Sequence, residues 1–140
     1  MIVLIDTNVV LDILLHRQPW YDNAAMIAGL SQKSIITAYV TASAITDIFY
    51  IVQKQEGKSA ARSAIKQLLR MFYPATVMDR NIFRAVELDW EDFEDSVQFT
   101  VGEGLFVDYL ITRNNQDFSS GSIEAVTPEQ FILTIADIEE

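Results

Sequence analysis

The pattern of hydrophobic and polar residues begins with a short apolar run and then changes its spacing. Residues 2–5 are continuous and rich in β-branched side chains, as in a buried strand, and Asp6 ends the run. From Val9 to Leu15 the apolar residues recur at helical spacing, and Thr7 or Asn8 is available as the N-cap. The pattern therefore predicts a buried strand that ends on a carboxylate immediately before a helix.

The same alternation of β-branched runs and amphipathic stretches continues along the chain. It predicts further strands over residues 34–40, 75–78 and 107–112, with residues 122–126 as a candidate fifth. It predicts helices over residues 21–32, 41–55, 58–72, 80–89 and 92–101, and a last helix that starts at Thr127 and Pro128. Pro74 is expected to end the helix before it, and Gly102 and Gly104 to end the helix over residues 92–101.

Short strands separated by helices are typical of a parallel α/β sheet. We therefore expect a single domain over residues 1–140, a three-layer α/β/α sandwich with a central parallel sheet of four to five short strands. Half of the residues are hydrophobic, which is enough for a sizeable core.

Composition narrows the possible chemistry and location. Without cysteines, thiol catalysis and cysteine-ligated zinc are excluded, and a single histidine, His16, argues against histidine-based metal sites. No apolar run approaches the ~20 residues that span a bilayer, and Asp6 interrupts the stretch where a signal peptide would be most apolar. We expect a cytoplasmic protein with no membrane association.

Acidic residues recur near the carboxyl ends of the predicted strands, where ligands bind in open parallel sheets. Asp6, Asp47, Asp95 and Asp117 are the four carboxylates expected to converge there as the catalytic set. Two carboxylates 4 Å apart repel by about 4 kcal/mol at an effective dielectric of ~20, and a divalent cation removes that penalty. Oxygen ligands without cysteine or histidine select Mg²⁺ or Mn²⁺, and such a centre can activate water against a phosphodiester.

Four segments resemble, in the correct order and over nearly the whole chain, the signature segments of PIN domains: LIDTNVVLD, TASAITDI, DFEDSVQ and YLITRNNQDF. Small stand-alone PIN proteins of this kind resemble toxin ribonucleases of the VapC type. The resemblance implies a metal-dependent endoribonuclease acting on RNA, a role as the toxin of a toxin–antitoxin pair, an antitoxin protein as partner and a homodimer.

The resemblance also implies roles for individual acids. Asp6 and Asp95 match metal-site acids of the family. Asp47 falls where the family usually has glutamate and, being one methylene shorter, is expected to bind metal or position water. The fourth metal position stays open between Asn114 and Asp117.

Neighbouring residues receive supporting roles from the same resemblance. Asn8 and Thr112 are expected to hold the site by hydrogen bonds, whereas Asp12, a recurrent family acid, is expected to point elsewhere. Within the acidic run of residues 89–96 the match favours the aspartate at 95, and Glu94 is interpreted as part of a solvated helix face.

The positive charges are unevenly distributed in a chain whose net charge is −10. Half of the ten bases recur every four residues: Lys54, Lys58, Arg62, Lys66 and Arg70. On a helix this spacing makes a basic stripe, which could be a solvated face, a phosphate-binding surface or a docking surface for an acidic partner segment. The candidates for RNA contact are Lys58, Arg62 and Lys66, together with Arg113 beside the site.

Two other functions compete with the nuclease. A catalytically inactive PIN-fold module that binds RNA or protein is suggested by the aspartate at 47 and the asparagine at 114. An aspartyl-phosphate phosphatase needs a second aspartate two residues after the first, where this chain has Asn8, and a receiver needs an acidic pair that is missing.

Overall fold

The computed structural model describes residues 1–139, and in this range five parallel strands alternate with helices. The strands are β1 Ile2–Ile5, β2 Thr37–Thr41, β3 Tyr73–Ala75, β4 Tyr109–Ile111 and β5 Ala125–Val126. The helices are α1 Thr7–Leu14, α2 Tyr21–Gln32, α3 Ala42–Glu56, α4 Lys58–Met71, α5 Asp79–Leu88, α6 Phe93–Leu105 and α7 Pro128–Glu139, with a 3₁₀ turn at Asn115–Phe118.

The strand order is β3-β2-β1-β4-β5, with β1 in the centre of the sheet. Val3 pairs with Ala38 of β2 on one side and with Tyr109 of β4 on the other. The order reverses between β1 and β4, because the chain builds outward through β2 and β3 and then returns to the opposite side of β1. A crevice opens at the carboxyl ends of strands that flank such a reversal.

Alternate residues of β1 face opposite apolar layers, as the two-residue period of a strand requires. Val3 and Ile5 contact a layer formed with α1 to α4 and α7, whereas Leu4 contacts a second layer that contains Phe99 of α6 and Phe118. The predicted three-layer α/β/α sandwich with a parallel sheet is therefore confirmed, with the fifth strand present. In the described chain no helix has the length and apolar character needed to cross a membrane.

All strands after β1 differ from the sequence prediction: β4 and β5 are shorter than predicted, whereas β2 and β3 are displaced along the chain. β2 begins at Thr37 rather than at residue 34, because Ser34 has a positive φ of 59° in the turn before the strand. β3 contains Pro74, although Pro74 was expected only to end a helix and the strand was expected over residues 75–78. Proline lacks a backbone donor but is tolerated here, since β3 is an edge strand paired with β2 alone.

The prediction that Gly102 and Gly104 end α6 was wrong, because the helix continues to Leu105. A Cβ on Gly102 would lie only 3.1 Å from Cδ1 of Ile123 and 3.2 Å from Cγ2 of Val107. Gly102 therefore allows α6 to pack closely against the neighbouring chain, and the helix ends at Phe106 with a φ of 55°.

Candidate active site

Asp6 occupies the crevice between β1 and β4 and is only 6% exposed. Its Oδ1 accepts hydrogen bonds from the backbone N of Thr7 at 2.7 Å and from Nε2 of Gln98 at 2.9 Å. Its Oδ2 accepts a hydrogen bond from Oγ1 of Thr112 at 2.7 Å. Asp6 thus caps α1, in place of the expected Thr7 or Asn8, while α6 and β4 fix the orientation of its carboxylate.

The first turn of α6 brings Asp95 to this crevice. Asp92 caps the helix by accepting a hydrogen bond from the backbone N of Asp95 at 2.9 Å. The pKa of Asp95 is raised from 3.8 to about 7, mainly by burial and in smaller part by the negative charges of Asp6, Asp92, Asp117 and Glu94. The carboxylate of Asp95 is therefore within electrostatic reach of both Asp6 and Asp117.

Glu94 also lies at the crevice and is half-buried, whereas the acidic run predicted that it would be part of a solvated helix face. Oγ1 of Thr7 donates to Oε1 of Glu94 at 3.3 Å. The pKa of Glu94 is raised from 4.5 to about 7, mainly by burial and then by the neighbouring carboxylates of Asp47 and Asp6, while the hydrogen bond from Thr7 lowers it. Glu94 therefore links Asp47, which lies on the exposed surface of α3, to the centre of the crevice.

The two candidates for the fourth metal position contribute differently. Asp117 is exposed in the 3₁₀ turn and, with Asp95, lines a cavity of about 800 Å³ whose other lining residues are Asp89, Trp90, Glu91, Asp92, Gln116 and Ser120. Asn114 contributes main-chain contacts: its N donates to Oγ1 of Thr112 at 3.1 Å and its O accepts from the N of Asp117 at 3.0 Å. The carboxylate of Asp117 is thus the one that faces the acidic cavity.

The two residues expected to support the site act at different points. Thr112 contacts Asp6 directly, as described above. Oδ1 of Asn8 instead accepts a long contact of 3.5 Å from the backbone N of Arg113, so Asn8 braces the chain that leaves β4.

Gln98, which the sequence pattern did not mark as a site residue, is 1% exposed and donates to Asp6. Its Oε1 is buried and has no hydrogen-bond partner among the described residues. Gln98 lies three residues after Asp95, a spacing that puts both on one helix face. That spacing was the available signal, but glutamine carries no charge to mark it as a site residue.

A family model described as PIN domain matches residues 2–116. The chain belongs to the PIN domain family. It is 26% identical over 136 residues to Ribonuclease VapC1 of Aquifex aeolicus (strain VF5), covering 92% of each chain.

Two solved structures share the fold of this PIN domain. VapBC2 of Rickettsia felis, bound to a promoter DNA fragment, has a TM-score of 0.70 and 18% identity, covering 91% of this chain and 98% of that one. VapC20 of Mycobacterium tuberculosis, a toxin that cleaves the sarcin-ricin loop, has a TM-score of 0.71 and 12% identity, covering 87% and 97%.

The donor set of this PIN domain fits a hard divalent cation. All the acidic groups around Asp6 offer oxygen, and the raised pKa values of Glu94 and Asp95 reflect burial together with negative charges that a cation would neutralise. Among residues 1–139, no three histidine or acidic side chains are already drawn together as a metal-ligand group. The carboxylates therefore surround the crevice without closing on a common point.

The basic residues of the PIN domain lie at different distances from the acidic crevice. Lys58, Arg62 and Lys66 are exposed on α4, which packs against α3. Lys54 on α3 lies beside the site, in a cavity of about 460 Å³ whose other lining residues are Thr7, Asp47, Tyr50, Ile51 and Glu94. Nε of Arg113 is 2.8 Å from Oδ2 of Asp12, so its charge is already engaged by a carboxylate of α1.

Proposed function

We propose that this PIN domain is a metal-dependent endoribonuclease that hydrolyses RNA phosphodiester bonds with Mg²⁺ or Mn²⁺. The observation that carries the proposal is that Asp6, Glu94 and Asp95 surround the crevice at the reversal of strand order, with Asp117 close enough to raise the pKa of Asp95. Repulsion of this kind is relieved by a divalent cation. The name of the relative from Aquifex aeolicus, Ribonuclease VapC1, supports RNA as the substrate.

Asp6, Asp95 and Asp117 would hold the metal, with Asn114 as the alternative oxygen donor to Asp117. A bound divalent cation supplies Lewis-acid activation of the hydrolytic water and neutralises charge that develops on the phosphate. Asp47 would bind metal or orient water, and because it lines the same cavity as Glu94 it extends the acidic edge toward α3.

Gln98 and Thr112 would orient Asp6. Their hydrogen bonds of 2.9 and 2.7 Å engage one oxygen each, so the carboxylate cannot rotate without losing both. The carboxylate of Asp6 fixes which end of the Gln98 amide faces it, since the opposite orientation would set Oε1 against a carboxylate oxygen.

Because the net charge of the chain is −10, binding of RNA phosphates requires a local cluster of basic side chains. Lys58, Arg62 and Lys66 would supply them as an exposed stripe on α4. Arg113 is less free for the phosphate contact expected of it, because it is paired with Asp12 and only 24% exposed.

We further propose that the protein is the toxin of a toxin–antitoxin pair, with an antitoxin protein as partner, and that it forms a homodimer. The support for the toxin role is the likeness of the chain to Ribonuclease VapC1 and, in fold, to the toxin VapC20.

The decisive experiment is RNA cleavage by the purified protein with Mn²⁺, comparing the parent with Asp6→Asn. Asp22→Asn is the matched control, since Asp22 is exposed on α2 and the substitution removes the same charge away from the crevice. We expect cleavage by the parent and the control and none by Asp6→Asn. A parent that leaves all RNAs intact while still binding them would support the inactive PIN-fold binding module instead.

A further inference from the structure

Asp12 is a buried charge for which the proposed nuclease mechanism has no use. It lies on α1, is 0% exposed, and neither of its oxygens accepts a well-aligned hydrogen bond within residues 1–139. Its partner is Arg113, whose Nε lies 2.8 Å from Oδ2. Burial raises the pKa of Asp12, while the charges of Arg113 and Arg17 lower it. Buried ion pairs are often no more stabilising than apolar side chains of the same size, so stability alone does not account for this one.

Arg113 is held on two sides. Its guanidinium carbon lies 3.9 Å from the centroid of the Trp20 ring, directly before α2, while Nε faces Asp12 on α1. Cation–π stacking and a carboxylate together restrict both the position and the plane of a guanidinium. Arg113 is therefore anchored to the two helices that pack beside the crevice.

The residues on either side of Arg113 reach the site. Thr112 donates to Asp6, and Asn114 accepts from the backbone N of Asp117. β4 ends at Ile111, and its pairing with β5 reaches only as far as the backbone N of Thr112, which donates to O of Val126 at 2.9 Å, so the sheet does not hold residues 113–117. The 3₁₀ turn that follows carries Asp117 on the surface.

We propose that the Asp12–Arg113 pair, stacked on Trp20, is a positioning device that fixes residues 112–117 relative to Asp6. The pair acts through the backbone on both sides of Arg113 and touches neither metal nor RNA. The inference rests on the proposed function only in treating Asp117 as a metal ligand.

The test uses hydrogen exchange at the backbone amides of Asn114 and Asp117, both of which are hydrogen-bonded within the segment. The amide of Asp6, bonded to O of Ile111 at 2.9 Å, reports on the adjacent sheet. In Asp12→Leu/Arg113→Met both charges are removed together, so neither is left buried alone. We expect exchange at Asn114 and Asp117 to become at least tenfold faster while exchange at Asp6 is unchanged.

A second variant, Asp12→Asn/Arg113→Gln, keeps the side-chain sizes closer to the parent and replaces the first if that variant does not fold. Arg17→Met is the control, since it removes the other cation near Asp12 and leaves the anchor of the segment intact. The dissociation constant for Mn²⁺ is measured alongside by calorimetry, and we expect it to be about tenfold higher in the double variants than in the parent.

Unchanged exchange at Asn114 and Asp117, or equal acceleration at all three amides, would overturn the inference, because a merely structural pair would loosen the whole sheet. Failure of the proposed function would appear differently, as a parent that cleaves no RNA. The exchange result would then still decide whether the pair positions the segment.

Discussion

The hydroxyl of Thr112 donates a 2.7 Å hydrogen bond to Oδ2 of Asp6 and so joins the ends of β4 and β1. Both residues are buried, at 0% and 6% exposure. The contact spans the reversal of strand order, which is the one place in the sheet where two neighbouring strands send their connections to opposite sides.

Thr112→Val removes this donor with little change of shape. We expect the free energy of unfolding to fall by about 2 kcal/mol, because a buried carboxylate oxygen loses its partner. RNA cleavage should fall at least tenfold, since Asp6 can then rotate. Urea denaturation and single-turnover cleavage measure the two effects. Thr112→Ser keeps the hydroxyl, and if it lost as much activity as Thr112→Val, the hydrogen bond would not be the cause.

Gln98→Glu replaces a donor to Asp6 with a second negative charge of the same size. Without metal we expect a lower melting temperature than the parent, since like charges repel at short range in a buried crevice. Mn²⁺ should then raise the melting temperature of the variant by more than it raises that of the parent. Gln55→Glu on the exposed end of α3 is the control. Equal shifts in parent and variant would place the metal away from Asp6.

The stability of the metal-free protein should depend on pH through Glu94 and Asp95. Their pKa values are raised to about 7 in the folded protein, from 4.5 and 3.8. The folded state therefore holds more protons than the unfolded state between about pH 4 and pH 7, and stability falls as pH rises through that window. Melting curves from pH 5 to 8 test this, and Glu94→Gln/Asp95→Asn should flatten the dependence.

Metal binding should follow the opposite course, because protons compete with the cation for the same carboxylates. We expect Mn²⁺ affinity to rise as pH increases from 6 to 8. A calorimetric titration at each pH measures it. An affinity that is constant over this range would mean that neither Glu94 nor Asp95 loses its proton on binding.

The basic stripe on α4 predicts a salt effect. Neutralising Lys58, Arg62 and Lys66 together, each to glutamine, should weaken RNA binding and lower the slope of log affinity against log salt by roughly 2, at ~0.7 per phosphate contact. Binding is measured in the Asp6→Asn background so that RNA stays intact. Neutralising Arg80 and Arg84, exposed on α5, is the control. If the stripe is only a solvated face, both sets would leave the slope unchanged.

Much of the fold could be predicted because its signals are local. Continuous β-branched runs marked β1 and β4, and parallel topology then required Asp6 to face the end of β4. Pro74 was misassigned because an edge position, which tolerates proline, depends on strand order and not on local sequence. Gly102 was misassigned because glycine is favoured both at helix ends and where a helix packs closely. Only the short distance from a Cβ at this position to Val107, seen in the structure, shows that close packing is the reason here.

The candidate site was harder to predict, for a geometric reason. Glu94 and Asp95 are adjacent on the first turn of α6, and their side chains point about 100° apart. Helical periodicity therefore favours only one of them for a buried face, whereas at the end of a helix both can reach the crevice. Gln98 carries no charge that would mark it in the sequence, and nothing in the sequence shows that Asp12 and Arg113 pair with each other. Their importance comes from burial, which depends on how α6 and α1 pack against the sheet.

The separation of Asp6 from its donors along the chain has a consequence for biosynthesis. The hydrogen bonds from Gln98 and Thr112 span 92 and 106 residues. During synthesis the central carboxylate therefore emerges before both side-chain donors, and until α6 and β4 follow it has only the backbone N of Thr7 to orient it. Premature termination before α6 would yield fragments without an assembled crevice, so an RNA-cleaving activity would arise only in copies whose synthesis has passed β4.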